Sequence, residues 1–357
     1  MNEYLKQPHK IQFELSSMCN ALCLGCVRTD TRNFNQSKPL IPKKQIVEVD
    51  TFVKLLSSEE MSTVKILEFC GTVDDPLMHP DFLTLLERAY EINPNYKINI
   101  HTNASLRNEN DFVKLAQILK KFKEHELLFS IDGIGETHTI YRQFTNYDKI
   151  ISNAKAFINE GGRAVWQFLI FPWNEHQVEE AKEISKELGF AVFLRRHDRS
   201  IATGLGLEKI QGKKRKNTLY DIVEEHSMEQ LLESYENINE VEIACNNQEK
   251  GMYFVSFDSK LWPCCFIPNG FLQQQPRKVE YLQKRLYDTY GKDFNDLTKK
   301  TVKEIVTNDF YKNDLVESWD NPVALGKCGK ITRCAETCNV YKLKALPIGK
   351  PKVYSNV

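Results

Sequence analysis

The sequence has no net charge of either sign, since 48 Lys and Arg residues stand against 48 Asp and Glu over 357 residues. A broad basic face for nucleic acid or an acidic lipid surface is therefore not expected. It also lacks any apolar run near the roughly 18 residues that cross a bilayer. The opening Met1-Asn2-Glu3-Tyr4-Leu5-Lys6 has no apolar core of a secretory signal, so a reducing, cytoplasmic location is expected. One basic run does occur, Lys213-Lys214-Arg215-Lys216. No aromatic side chains interleave with it, so a solvated loop is the better reading than a nucleic-acid contact.

Cysteine is what the chain has in quantity. Ten cysteines in a reducing compartment point to metal ligation rather than to disulfides. Three fall within eight residues as Cys19-x3-Cys23-x2-Cys26, directly after the β-like run Ile11-Gln12-Phe13-Glu14-Leu15. Thiols so spaced can turn inward from one loop and ligate three irons of a cubane cluster, leaving the fourth iron without a protein ligand. A structural cluster uses four thiolates, whereas an open metal position is where exogenous chemistry happens. Zinc is the rival reading, although zinc knuckles usually pair Cys-x2-Cys units.

From residue 9 to about residue 200, β-rich runs alternate with helical patterns. Strands are expected at 9–15, 64–69, 96–101, 127–131, 164–171 and 191–195, with helices at 43–56, 81–92, 109–122, 147–159 and 174–188. In the second of these helices Phe82, Leu85, Leu86 and Ala89 recur at helical spacing, with Glu87, Arg88 and Glu91 outward. Such alternation implies an α/β fold of parallel strands with helices outside, and ligands at the C-terminal strand ends. The glycine-bearing, basic stretch after residue 199 breaks the pattern, a helix is expected over 219–237, and a second cysteine-rich region begins at Cys245.

The first triad resembles the radical S-adenosylmethionine (SAM) superfamily, and four further segments strengthen the likeness. Cys70-Gly71-Thr72-Val73-Asp74-Asp75-Pro76 begins 44 residues after Cys26 and looks like an extended Gly-Gly-Glu-Pro turn, with Asp75-Pro76 in the Glu-Pro place. His101-Thr102-Asn103-Ala104 resembles the Thr-Asn-Gly turn, and Ser130-Ile131-Asp132-Gly133 the Ser-x-Asp-Gly turn. Arg142 matches a family arginine.

The resemblance covers about residues 9–341. It implies a partial (β/α)6 TIM-type barrel over 9–200, a [4Fe-4S] cluster on Cys19, Cys23 and Cys26, and SAM on the fourth iron. Gly71, Asp75, Thr102 and Asn103 would line the SAM site, and Ser130 and Arg142 would hold its carboxylate. A guanidinium suits that task because it binds carboxylate through two parallel bonds. Relatives often place an aromatic before the third cysteine to meet adenine. Here that position is Gly25, so Phe171 is expected to supply the packing.

Cys245, Cys264, Cys265, Cys328, Cys334 and Cys338 form the second group. Asp258-Ser259-Lys260-Leu261-Trp262-Pro263-Cys264 resembles the hairpin of SPASM and twitch domains, with Ser259 where a glycine is usual. Cys328-x5-Cys334-x3-Cys338 matches the later part of a SPASM signature, but its earlier cysteine is replaced by Leu325. Two fully ligated cubanes need eight thiolates, so one auxiliary [4Fe-4S] cluster is expected on Cys245, Cys264, Cys338 and either Cys334 or Cys328, with zinc as the rival occupant. Cys265 is a candidate acid, base or hydrogen donor, or a buried bystander.

The expected organisation is therefore a barrel at 9–200, a connecting loop and helix at 201–243, a SPASM/twitch-like domain at 244–341 and a tail at 342–357. The implied activity is reductive SAM cleavage under anaerobic conditions and hydrogen abstraction from a substrate C–H bond, as oxidoreductase or C–H-modifying transferase. A reductase with flavodoxin, or ferredoxin, would donate the electron. Only eight residues precede the first strand, where peptide maturases often carry a recognition domain. A small-molecule substrate is thus expected, with a peptide as the alternative. A non-catalytic iron–sulfur or zinc regulator is the reading from another class.

Overall fold

The structure, a computed structural model, describes residues 4, 7–23, 26, 29–30, 38–39, 44–197, 239–269, 284–324, 328–338 and 353–355. Gly25, Leu325, the basic run and the helix expected over 219–237 lie outside them. Two compact units form: Phe13–Val49, Lys65–Arg215 and Gly349–Val357 make one, and Met1–Gln12, Asp50–Val64 and Lys216–Ile348 the other. Strand β1 is Lys10–Phe13 and helix α1 Val49–Leu56. The helix expected from 43 starts later because Ile46 forms a β-bridge with Ser16.

The first unit is an open, mostly parallel α/β sheet. Its strands are β2 (Ile66–Phe69), β3 (Lys97–Thr102), β4 (Glu124–Ser130), β5 (Ala164–Ile170) and β6 (Val192–His197), each parallel to the next. Helices α2 (Phe82–Ile92), α3 (Glu109–Leu119), α4 (Glu136–Tyr141), α5 (Tyr147–Asn159) and α6 (Val178–Glu187) lie between them in sequence. Alternation along each strand sends one set of side chains to the helices. Phe69 meets Phe82 edge-on at 5.4 Å, and Phe129 packs among Phe112, Phe157 and Phe190. Glu68, Asn99, His101, Ser130 and Gln167 therefore share the opposite face. The order is linear, so every loop after a strand opens at one end.

In the second unit, β7 (Met252–Val255) and β8 (Leu261–Trp262) form an antiparallel hairpin with Val255 opposite Leu261. Ser259 holds φ at 61° in its turn, taking the left-handed conformation itself where a glycine is usual. Helix α7 (Thr332–Thr337) follows, and Cys338 closes it by donating its N–H to the Cys334 carbonyl at 2.7 Å. Among the described residues no helix is long and apolar enough to cross a membrane.

Candidate metal and cofactor site

The cysteine loop is tied to the turn after β2 by two carboxylates, Glu14 buried and Asp74 half-buried. Glu14 Oε1 accepts the N–H groups of Thr72 (2.6 Å) and Val73 (2.8 Å). In return, Asp74 Oδ2 accepts those of Leu15 (2.9 Å) and Ser16 (3.1 Å). The Asp75 N–H reaches the Met18 carbonyl at 2.9 Å and the Leu22 N–H that of Gln143 at 3.2 Å. A Cβ at Gly71 would lie 1.8 Å from Asp74 Oδ1 and 2.8 Å from Glu14 Cγ, so the turn admits no side chain there. Burial, and then the charge of Glu14, push the Asp74 carboxyl well above its ordinary range. Its Oδ1 is buried and has no hydrogen-bond partner among the described residues.

Each thiol of the triad faces a different element end, two of them strand ends and one the end of helix α4. Asn103 Nδ2, after β3, lies 3.6 Å from Cys19 Sγ. Arg142 Nη1, after α4, is 3.9 Å from Cys23 Sγ, and the Cys26 thiol points at the Thr72 carbonyl, after β2, at 3.9 Å. Burial pushes the Cys23 thiol up to about 11, against the lowering pull of Arg142.

The expected SAM-site residues gather at the same end, and several are committed to one another. The Asp75 carboxylate accepts from Thr102 Oγ1 (2.9 Å), the Asn103 N–H (2.7 Å) and the Leu77 N–H (3.1 Å), so it ties the turn after β2 to the end of β3. Its oxygens serve as a brace, and burial raises its pKa. Ser130 ends β4 and is buried there. Arg142 Nε donates to Asp132 Oδ2 at 2.6 Å, while Asp132 Oδ1 accepts the Leu169 N–H. One edge of the guanidinium is thus fixed and Nη1 is aimed at the cysteine loop. Burial works against the Arg142 charge, but Asp132 more than offsets it and the pKa rises.

Phe171 differs from expectation. Trp173 stacks on it at 4.7 Å and 7°, Tyr141 lies 4.6 Å away, and the ring is only 1% exposed. Buried against two aromatic neighbours, Phe171 backs an aromatic stack and offers adenine almost no accessible surface. The carboxylates Glu14 and Asp74 and the Asp132–His138 contact carried no spacing signal, although Asp132 falls inside the Ser-x-Asp-Gly segment.

The second unit brings four cysteines around one pocket: Cys245, Cys264, Cys334 and Cys338, backed by Tyr4 and Trp319. Tyr4 donates to the Pro263 carbonyl at 2.7 Å, and the Ala244 N–H to that of Cys338 at 2.9 Å. The hydrogen bond between Cys245 and Cys338 lowers the Cys245 thiol and raises its partner, while burial pushes Cys334 up to about 12. Cys328 stands elsewhere. Its thiol lies 3.4 Å from Asp314 Oδ1 and 3.3 Å from Glu317 Oε2. Half-buried Cys265 lies outside the pocket lining.

A donor set of three thiols, a side-chain-free turn, an unpartnered carboxylate oxygen and a guanidinium edge suit a metal cluster beside a zwitterion. The sequence signature of the Radical SAM superfamily matches residues 13–184. None of the curated proteins matches the sequence. SuiB of Streptococcus suis bound to the precursor peptide SuiA is similar in structure, with 15% identity, a TM-score of 0.54, and coverage of 95% of this chain and 73% of that one. The same protein bound to S-adenosylmethionine gives 14%, 0.52, 95% and 72%. The protein anSMEcpe with bound AdoMet gives 17%, 0.50, 85% and 78%. At these identities the likeness is one of fold.

Proposed function

Residues 13–184 belong to the radical SAM superfamily, and from that premise we propose an enzyme that binds a [4Fe-4S] cluster through Cys19, Cys23 and Cys26, cleaves SAM to methionine and a 5′-deoxyadenosyl radical, and takes a hydrogen atom from a substrate C–H bond. The observation that carries this reading is the convergence on one cysteine loop of two strand ends, through Thr72 and Asn103, and of the end of helix α4, through Arg142. The remaining residues of the chain bind and orient. Gly71 lets the backbone of its turn come close to a ligand amine, and Asp74 Oδ1 offers an acceptor beside it. Ser130 and the free edge of Arg142 take the carboxylate. Asp132 keeps Arg142 from swinging away, and Asp75 locks Thr102 and Asn103 in register with the turn after β2.

Cys245, Cys264, Cys334 and Cys338 are proposed to hold one auxiliary [4Fe-4S] cluster, which accepts the substrate electron or anchors the substrate. Flavodoxin or ferredoxin is the proposed source of the first electron. A small polar substrate is the primary reading. It is supported by Asn99 and Gln167 on the sheet face away from the helices, whose buried amide oxygens have no partner among the described residues and would accept hydrogen bonds. A peptide is the second reading, favoured by the fold shared with SuiB, whose complex holds a precursor peptide.

The test is anaerobic reconstitution, dithionite reduction and quantification of 5′-deoxyadenosine. The wild type is expected to form it, and a variant with Ala at Cys19, Cys23 and Cys26 is expected to form none. Continued reductive cleavage by that variant would remove the assignment.

A further inference from the structure

Glu68, Cys70 and His101 offer a carboxylate, a thiol and an imidazole whose ligand atoms all lie within 4.8 Å of one another. None of them belongs to either cysteine group discussed above. Their convergence follows from strand geometry. Strands β2 and β3 are parallel, with Glu68 opposite Asn99 and Phe69 opposite Ile100, so Cys70 comes alongside His101. Phe69 faces helix α2, and strand alternation therefore places Glu68 and Cys70 together on the other face, as it does Asn99 and His101. All three are half-buried. That exposure suffices for an ion to enter and still removes much of the competing water.

We propose that Glu68, Cys70 and His101 form a mononuclear site for a zinc-class dication. One sulfur, one nitrogen and one oxygen donor match the ligand types that zinc accepts, and the thiolate disfavours magnesium and calcium. Three protein ligands are the number found in sites that keep a fourth position for water or a substrate donor. Binding requires the thiol to release its proton, and the dication supplies the charge that favours the thiolate. Asn99 and Gln167 lie on the same face of the sheet, and their buried amide oxygens have no hydrogen-bond partner among the described residues. A hydroxyl or amine held by the ion has protons to donate to those amide oxygens. The site stands on its own geometry and does not depend on the radical reaction.

The experiment uses the iron-reconstituted full chain equilibrated with buffered Zn2+ against a chelator of known affinity. Zinc and iron are counted by mass spectrometry, and zinc coordination is read by X-ray absorption. The wild type is expected to hold one zinc with one sulfur at about 2.3 Å and lighter donors completing the shell. Glu68→Gln, Cys70→Ser and His101→Asn are each expected to weaken zinc by more than the roughly 10–100-fold that an outer partner's loss costs, with iron content unchanged. Retained iron shows that a variant is folded. Zinc affinity unchanged in His101→Asn and Cys70→Ser would overturn the site. So would a four-sulfur zinc that is lost in Cys245→Ala, because it would place the ion in the other pocket. Loss of SAM cleavage with this zinc signature intact would count against the radical reading alone.

Discussion

Two residues beside the proposed SAM site carry measurable consequences of their backbone and burial. Ala104 holds φ at 57°, where Cβ crowds the carbonyl at a cost of about 1–2 kcal/mol. The turn is kept by its N–H, which donates to Thr102 Oγ1 at 2.9 Å. Glycine would relieve the crowding but add unfolded-state freedom worth about 0.4–1 kcal/mol. Ala104→Gly is thus expected to stabilise the chain by about 0–1.6 kcal/mol in urea unfolding, and a clear loss would deny the strain. His138 is held neutral, since its Nδ1 accepts the Asp132 N–H at 3.1 Å and its Nε2 is buried without a partner among the described residues. Burial, then the charge of Arg142, lower it from 6.5 to about 3. The unfolded chain takes up this proton as pH falls below about 6.5, and the folded chain does so only near 3. The stability from this group is complete above the unfolded value and is lost on acidification, by about 1.4 kcal/mol per pH unit in that window. Unfolding free energies of the wild type and His138→Asn should diverge by that slope between about pH 6 and pH 5. Parallel curves would show that the imidazole titrates normally.

Helix α5 supports the turn that carries Thr102 and Asn103. Its buried Asn153 donates through Nδ2 to the carbonyls of Ala104 and Arg107, both at 2.9 Å, and the Asn146 N–H donates to Ser105 Oγ at 2.8 Å. Asn153→Leu strands two carbonyls at about 1–3 kcal/mol each. It is expected to lower both the melting temperature and the SAM affinity of the folded variant, read by calorimetry and equilibrium binding. Unaltered SAM affinity would separate the helix from the site. Helices α2, α3 and α5 were legible in the sequence because each repeats an apolar stripe over about two turns. The six residues of α4 were not, since only His138 among them is buried and no period can form. Cysteine spacing made both thiol groups readable, but spacing alone offered Cys328 and Cys334 equally. The structure places them apart, with Cys334 on α7 lining the pocket with Cys338 and Cys328 facing two carboxylates. Glu14 and Asp74 were not legible, since a pairing of carboxylates across 60 residues of chain leaves no local pattern.

At the scale of the whole molecule, each compact unit carries its own thiol set, three in one and four around a pocket in the other. The four-thiol set matches a fully ligated cubane, which needs no exogenous ligand. Cys264 is buried, and desolvation pushes its thiol well above the ordinary value. Without a metal, burial therefore keeps Cys264 and Cys334 protonated, and a bound metal has to displace those protons. A cubane on the three-thiol set would need an outside ligand to complete it. Iron should follow this division. The reconstituted wild type is expected to hold about eight irons, and the variant lacking Cys19, Cys23 and Cys26 about four. In that background, Cys334→Ala should remove the remaining iron and its Mössbauer signal, while Cys328→Ala should leave both. Iron lost with Cys328 and kept without Cys334 would reverse the ligand assignment, and stoichiometric zinc in place of iron would take the electron-acceptor role away from the second unit.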